Sequence, residues 1–185
     1  MALGADSHNG TAAAARERIV TFLRDVGLEV KEAPIDGQTF VPGIVIQHGV
    51  LVVDPAKWTY PGDLLHEAGH LAVMEPDRRR RCHTDVGKRA AEEMMAIAWS
   101  YAACVHLGMD PAIVFHDGGY RNGSEALIEN FTQGRYIAVP MLQWLGMAAE
   151  PRLAAELGID PYPRMRRWLR EASHDDGGEI EDSTP

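Results

Sequence analysis

Cysteine is scarce in this sequence. Only Cys82 and Cys104 occur, in no C-x-x-C or other ligand spacing, which excludes a disulfide scaffold and a thiolate metal cluster and leaves two reduced, structural thiols as the expectation. Long apolar runs are missing too: none approaches the ~20 residues that a bilayer span requires. Met1 to Gly10 also has neither the basic nor the apolar segment of a secretory signal. A cytoplasmic protein with no membrane partner is expected. Nor is there an excess of positive charge. The chain holds 18 Lys and Arg against 27 Asp and Glu, a net charge of −9, whereas a nucleic-acid binder needs a basic face to neutralise phosphates. Much of the deficit lies at the end, where residues 171–185 hold Glu171, Asp175, Asp176, Glu179, Glu181 and Asp182 and no Lys or Arg. The body before them is close to balanced, and its basic run Arg78 to Arg81 is expected to be a solvated loop or helix end.

What is present is ordinary for a globular domain: 185 residues, 45% of them hydrophobic and 7% aromatic. Residues 1–173 are expected to form one domain, and 174–185 a disordered acidic tail with too little apolar surface to fold. Ile19, Val20, Phe22, Leu23 and Val26 form a helical stripe within Thr11 to Val26, with Thr11 as N-cap and Gly27 just past the end. Leu28 to Val30 is a short strand, and Ile44-Val45-Ile46 and Val50-Leu51-Val52-Val53 around His48-Gly49 predict a hairpin. Helices are expected over 62–74, 87–107, 124–131, 139–147, 150–157 and 163–172, with Trp99, Trp144 and Trp168 at core-like positions. The fold class is therefore α+β, mainly helical, with a small antiparallel sheet ahead of the 62–74 helix.

That helix contains His66-Glu67-Ala68-Gly69-His70, an H-E-x-x-H pattern. With 8 His in the chain and glutamate at its observed frequency, chance produces about 0.03 such matches. Positions i and i+4 share a helix face, so His66 and His70 can offer two imidazoles to one ion, while Glu67 reaches water held beside it. Two imidazoles suit zinc, and a third protein ligand leaves the open position that a catalytic zinc needs.

Leu64 to Val73 resembles the active-site helix of the zincin metallopeptidases. The metzincin pattern, with a histidine six residues beyond the second, is absent, because position 76 is Pro. Glu92-Glu93 instead resembles the gluzincin arrangement, in which a glutamate from a second helix completes the site. Small one-domain gluzincins that cleave bacterial repressors carry a segment E-A-N-x-F-A-A. Glu93-Met94-Met95-Ala96-Ile97-Ala98-Trp99 is similar in its Glu, in Ile for Phe and in Ala98, and departs in lacking Asn. The resemblance implies a zincin-like domain that hydrolyses a peptide or protein substrate with zinc held by His66, His70 and a glutamate, and with Glu67 as general base.

Between the two acids, Glu93 is favoured, since it shares a stripe with Val86, Ala90, Ile97, Tyr101 and Cys104 that is suited to pack inward. Glu92 lies on a mixed stripe with Lys88, Arg89, Ala96 and Trp99, where it would be a solvated partner of a basic side chain. His116, Tyr120 and Tyr136 are candidate donors to a developing oxyanion, and spacing does not choose among them. Cys82, His83 and Asp85 form a weaker candidate cluster for a second metal. A non-catalytic zinc-stabilised interaction module is the alternative reading; a fourth protein ligand, or Glu67 tied to another side chain, would favour it. Substrate identity and oligomeric state are not written in the sequence.

Overall fold

The computed structural model describes residues 5–84, 86, 87, 89–120 and 123–172. Helix α1 runs Ala5–Asp25 and buries Ile19, Val20, Phe22 and Leu23, the expected stripe. It starts upstream of Thr11, which is therefore not its N-cap: the strong helix formers Ala12 to Ala15 continue the helix through the threonine. It closes as expected at Gly27, whose N–H donates to Arg24 O at 3.0 Å while Leu28 N–H donates to Leu23 O at 2.9 Å.

Strands β1 (Val30–Glu32), β2 (Ile44–Gln47) and β3 (Val50–Val53) form one sheet in the order β1-β3-β2. The hairpin is antiparallel, with Gln47 opposite Val50, but β1 pairs parallel with β3, Val30 opposite Leu51. The sheet is thus mixed rather than antiparallel, and β1 begins at Val30, because the Leu28 N–H is already used in closing α1. Four apolar residues in succession at Val50 to Val53 suit a central strand covered on both faces, and Leu51, Val52 and Val53 are buried. The hairpin turns at His48 and Gly49, φ 51° and 79°, the left-handed pair that a two-residue loop needs.

Helix α2 (Asp63–Val73) lies against α4 (Ala90–His106), the centre of the molecule. Helix α4 is buried continuously from Met95 to Cys104, as expected of a helix that is apolar all round. It starts three residues later than the periodicity suggests, after the left-handed Gly87 and the extended Arg89. The helices meet where α2 is thinnest: a Cβ on Gly69 would sit 2.8 Å from Ala96 O.

Of the two expectations for the arginine run, the structure has the helix end rather than the loop, with Arg80 and Arg81 exposed and Arg78 and Arg79 half-buried. The run belongs to a short helix, α3 (Pro76–Arg81), capped by Glu75, whose carboxylate accepts from the N–H groups of Asp77 and Arg78 at 3.1 Å each. Arg79 turns back to the C-terminal end of α2 and donates to Leu71 O (2.7 Å), Ala72 O (3.2 Å) and Met74 O (3.0 Å), carbonyls that the helix leaves without internal donors. It also donates to Arg170 O at 2.9 Å. Arg78 pairs with Glu92 and donates to Val86 O at 2.7 Å, and Arg80 pairs with Asp77 on the surface.

After a 3-10 turn at Pro111–Ile113 come α5 (Ser124–Thr132), α6 (Val139–Trp144) and α7 (Pro151–Leu157), close to the expected positions. Two expectations fail here. Trp144 is 82% exposed. Residues 163–172 are not helical, because their backbone groups are committed elsewhere: Arg166 N–H to Met147 O (2.9 Å), Arg170 N–H to Ala72 O (2.9 Å), and Trp168 O to the Trp99 indole N–H (2.8 Å). Trp168 still packs inward, edge-on to Phe22 and Trp99. The acidic tail 174–185 lies outside the described residues. Among the described residues the architecture is α+β, with seven α-helices and one small three-stranded sheet, and no helix is long and apolar enough to cross a membrane.

Candidate metal centre

Helix α2 presents His66 and His70 one turn apart, and the first turn of α4 brings Glu93 across to them. His66 Nε2 lies 3.1 Å from His70 Nε2, Glu93 Oε1 lies 3.4 Å from His66 Nε2, and Glu93 Oε2 lies 3.2 Å from His70 Nε2. Ligands ~2.05 Å from a tetrahedral ion are spaced ~3.3 Å apart, so the three separations fit one small ion in the midst of the group. The donor set, two imidazoles and a carboxylate, fits zinc. Burial, and then the neighbouring His70, hold His66 well below its ordinary pKa, so its ring is neutral near pH 7, the form that can ligate. Glu93 is held below the usual carboxylate range by its hydrogen bond to His70.

The three residues stand in a cleft of about 940 Å³ with Glu67 on the same wall. Glu67 takes no hydrogen bond from the described residues, and burial raises its pKa. Asp63, one turn before Glu67 on the same helix face, also lines the cleft. Its Oδ1 is 2.7 Å from His116 Nε2, and the His116 ring stacks on Tyr60 at 3.9 Å. Asp63 and Glu67 are related by the same i, i+4 spacing as the histidines, so the sequence carries the signal that could have found this acid. The lining also includes apolar side chains, Phe40, Val41, Ile44, Val45 and Val86 among them, together with the polar Gln38, Thr39, Thr84 and Arg89.

Of the three candidate oxyanion donors, Tyr120 alone lines the cleft, its hydroxyl 3.0 Å from His66 Nδ1 and its pKa raised by burial. His116 is turned to Asp63, and its Nδ1 is buried with no hydrogen-bond partner among the described residues. Tyr136 belongs to an aromatic cluster with Tyr101, Phe131 and Tyr162. In the weaker candidate cluster, His83 stacks on His48 with ring centroids 4.4 Å apart, Cys82 is buried, and Asp85 lies outside the described residues.

Glu93 is the acid that faces the histidines, but it does not pack into the core as its stripe suggests. Glu93 is half-exposed in the cleft, whereas Glu92 is the buried one, paired with Arg78 and, at 3.3 Å, with Arg89. Glu92 is therefore a partner of the neighbouring Arg89, as its stripe suggests, but a buried one rather than a solvated one. No protein-family model, curated protein or solved structure matches this chain.

Proposed function

We propose that this protein is a zinc-dependent hydrolase that cleaves a peptide bond. The observation that carries the reading is the convergence of His66, His70 and Glu93 at 3.1–3.4 Å with Glu67 free beside them in an open cleft. His66, His70 and Glu93 would hold the ion. Zinc bound there supplies Lewis-acid polarisation of a carbonyl and a pKa lowered towards ~7 for water in its open position. Glu67 accepts a proton from the attacking water as the water oxygen bonds the carbonyl carbon. It then returns that proton to the leaving nitrogen as the C–N bond breaks, giving an acid and an amine. Burial suits Glu67 to this exchange by bringing its pKa nearer to neutrality.

The sheet edge supports a peptide as substrate. Strand β2 is the edge strand on the cleft side, and the hairpin register turns the N–H and C=O of Ile44 and Ile46 away from β3. Ile44 N–H donates to Val41 O at 3.1 Å and Ile46 O accepts from Thr84 N–H at 2.8 Å. Ile44 O and Ile46 N–H have no hydrogen-bond partner among the described residues; both residues are buried, so an extended main chain would reach these groups only from the cleft that the two residues line.

Two measurements test the reading. Chelator-free protein after long dialysis is expected to carry about one zinc per chain, and less than about a tenth of an equivalent with no uptake near neutral pH refutes the site. Against a broad peptide library, Glu67→Gln is expected to keep zinc and lose roughly 10²- to 10⁴-fold in cleavage. Equal cleavage by wild type and variant refutes the mechanism. Zinc in both with cleavage by neither makes the site a non-catalytic staple.

A further inference from the structure

A neutral imidazole has one N–H and one lone pair, so a histidine can ligate only through the nitrogen that lacks the proton. In His66 that nitrogen is Nε2, the atom turned toward His70 and Glu93. Its proton must then sit on Nδ1, which lies 3.0 Å from the Tyr120 hydroxyl oxygen. The direction of this one hydrogen bond decides whether the corner is usable. A phenol donating to Nδ1 forces the ring proton onto Nε2, where the ion belongs, and a phenol accepting from Nδ1–H leaves Nε2 bare.

We propose that Tyr120 is the positioning residue of the metal centre: its hydroxyl oxygen accepts the His66 Nδ1–H, fixing the tautomer and the ring orientation that ligation needs. The proposal rests on the metal-binding reading above. Histidine ligands generally need such an outer partner, and here a phenol takes the place that a carboxylate or a backbone carbonyl more often fills. Among the described residues, His66 is the one hydrogen-bond partner of that hydroxyl. Its own O–H is consequently free to meet an acceptor in the cleft, which Tyr120 lines together with Glu67 and Asp63.

The backbone holds the phenol in place. Tyr120 N–H donates to His116 O at 3.0 Å, and Tyr120 O accepts from Gly123 N–H at 2.8 Å and Ser124 N–H at 3.1 Å. The ring meets Phe115 edge-on, with centroids 5.4 Å apart. His116, on the same turn, bonds Asp63, so the segment is tied to α2 at Asp63 and again at His66, about one helical turn apart. A side chain that merely filled space would not need both ties.

The test uses the full chain stripped of metal. Zinc affinity is measured by competition with a chromophoric chelator, the stability of the metal-free protein by thermal unfolding, and the His66 ring by nitrogen-15 NMR of the zinc-loaded form. Tyr120→Phe is expected to bind zinc 10- to 100-fold more weakly, with the metal-free melting temperature unchanged. The protected Nδ1–H resonance of His66 in zinc-loaded wild type should vanish in the variant. Tyr136→Phe, which removes a hydroxyl outside the cleft, should bind zinc like wild type. Equal zinc affinity in Tyr120→Phe and wild type overturns the proposal while leaving the metal site standing. A wild type that takes up no zinc overturns the metal reading and the role of Tyr120 with it. Should Tyr120→Phe fail to fold, the wild-type spectrum decides: a protected Nδ1–H supports the proposal, and its absence refutes it.

Discussion

Substituting Gly69 by alanine tests the packing that assembles the centre. In an exposed helix this change stabilises, by ~1 kcal/mol, because glycine is the poorer helix former. Here the added Cβ would lie 2.8 Å from Ala96 O and 3.1 Å from Ala96 Cα, where ordinary contact begins at 3.4 Å. The obstacle is backbone inside α4, so no rotamer change relieves it and the helices must separate by ~0.6 Å at that point. Overpacking of this kind costs ~1–3 kcal/mol, so the clash outweighs the propensity gain and the net effect is destabilising. The site responds as well, because His66 and His70 ride on α2 and Glu93 on α4. A metal site tolerates ~0.2 Å in its ligand distances, and a shift three times larger should lower zinc affinity by roughly tenfold or more. Thermal unfolding in chelator should show a melting temperature lower by a few degrees, ~2–4 °C per kcal/mol for a chain of this size. Competitive zinc titration gives the second number. A Gly69→Ala protein that melts higher than wild type in chelator and binds zinc equally well would refute the reasoning about this helix pair.

Two further outcomes follow from the same geometry. Glu93→Ala should abolish zinc uptake with little effect on the metal-free fold, whereas Glu92→Ala should keep zinc and cost on the order of 1–3 kcal/mol, since Arg78 loses its buried carboxylate; equal effects on zinc would refute the assignment. Burial, and then the charge of Asp110, push the Cys104 thiol up to about 12, so at pH 8 only about one part in 10⁴ is thiolate. Iodoacetamide should leave Cys104 unmodified in the native protein and label it after denaturation, as read by mass spectrometry of a digest; fast native labelling would contradict that burial.

The parts of the molecule set by local periodicity were legible in advance. The stripe of α1, the hairpin with its His48-Gly49 turn, and the i, i+4 histidines all follow from spacings of a few residues. What escaped depends on groups far apart in the chain. The parallel pairing of β1 with β3 joins residues about twenty positions apart and has no local signature. Glu92 is buried because an arginine 14 residues earlier covers it, a fact that no helical wheel contains. The stripe that selects Glu93 faces the cleft at Glu93 and the core only from Ile97 onward, so one face serves two environments. Residues 163–172 have helical composition, yet long-range hydrogen bonds outbid the local ladder.

Arg79 and the residues it reaches bear on how small a working version of this protein can be. The stretch that carries the recognisable pattern ends with α4, and cutting there would retain His66, His70 and Glu93. Yet the far end of the histidine helix is closed by Arg79 together with Arg170, a residue 91 positions downstream, and α4 is sealed by Trp168 on Trp99 and by the Tyr162 hydroxyl on Ala98 O. An excised fragment would expose the indole of Trp99 and the carbonyls beneath it to solvent, and would lose Tyr120, while keeping His66, Glu67, His70 and Glu93. Ligand geometry and chain closure are thus a single cooperative unit, in which the motif is local in sequence and the rigidity that makes it useful is imported from the opposite end of the polypeptide.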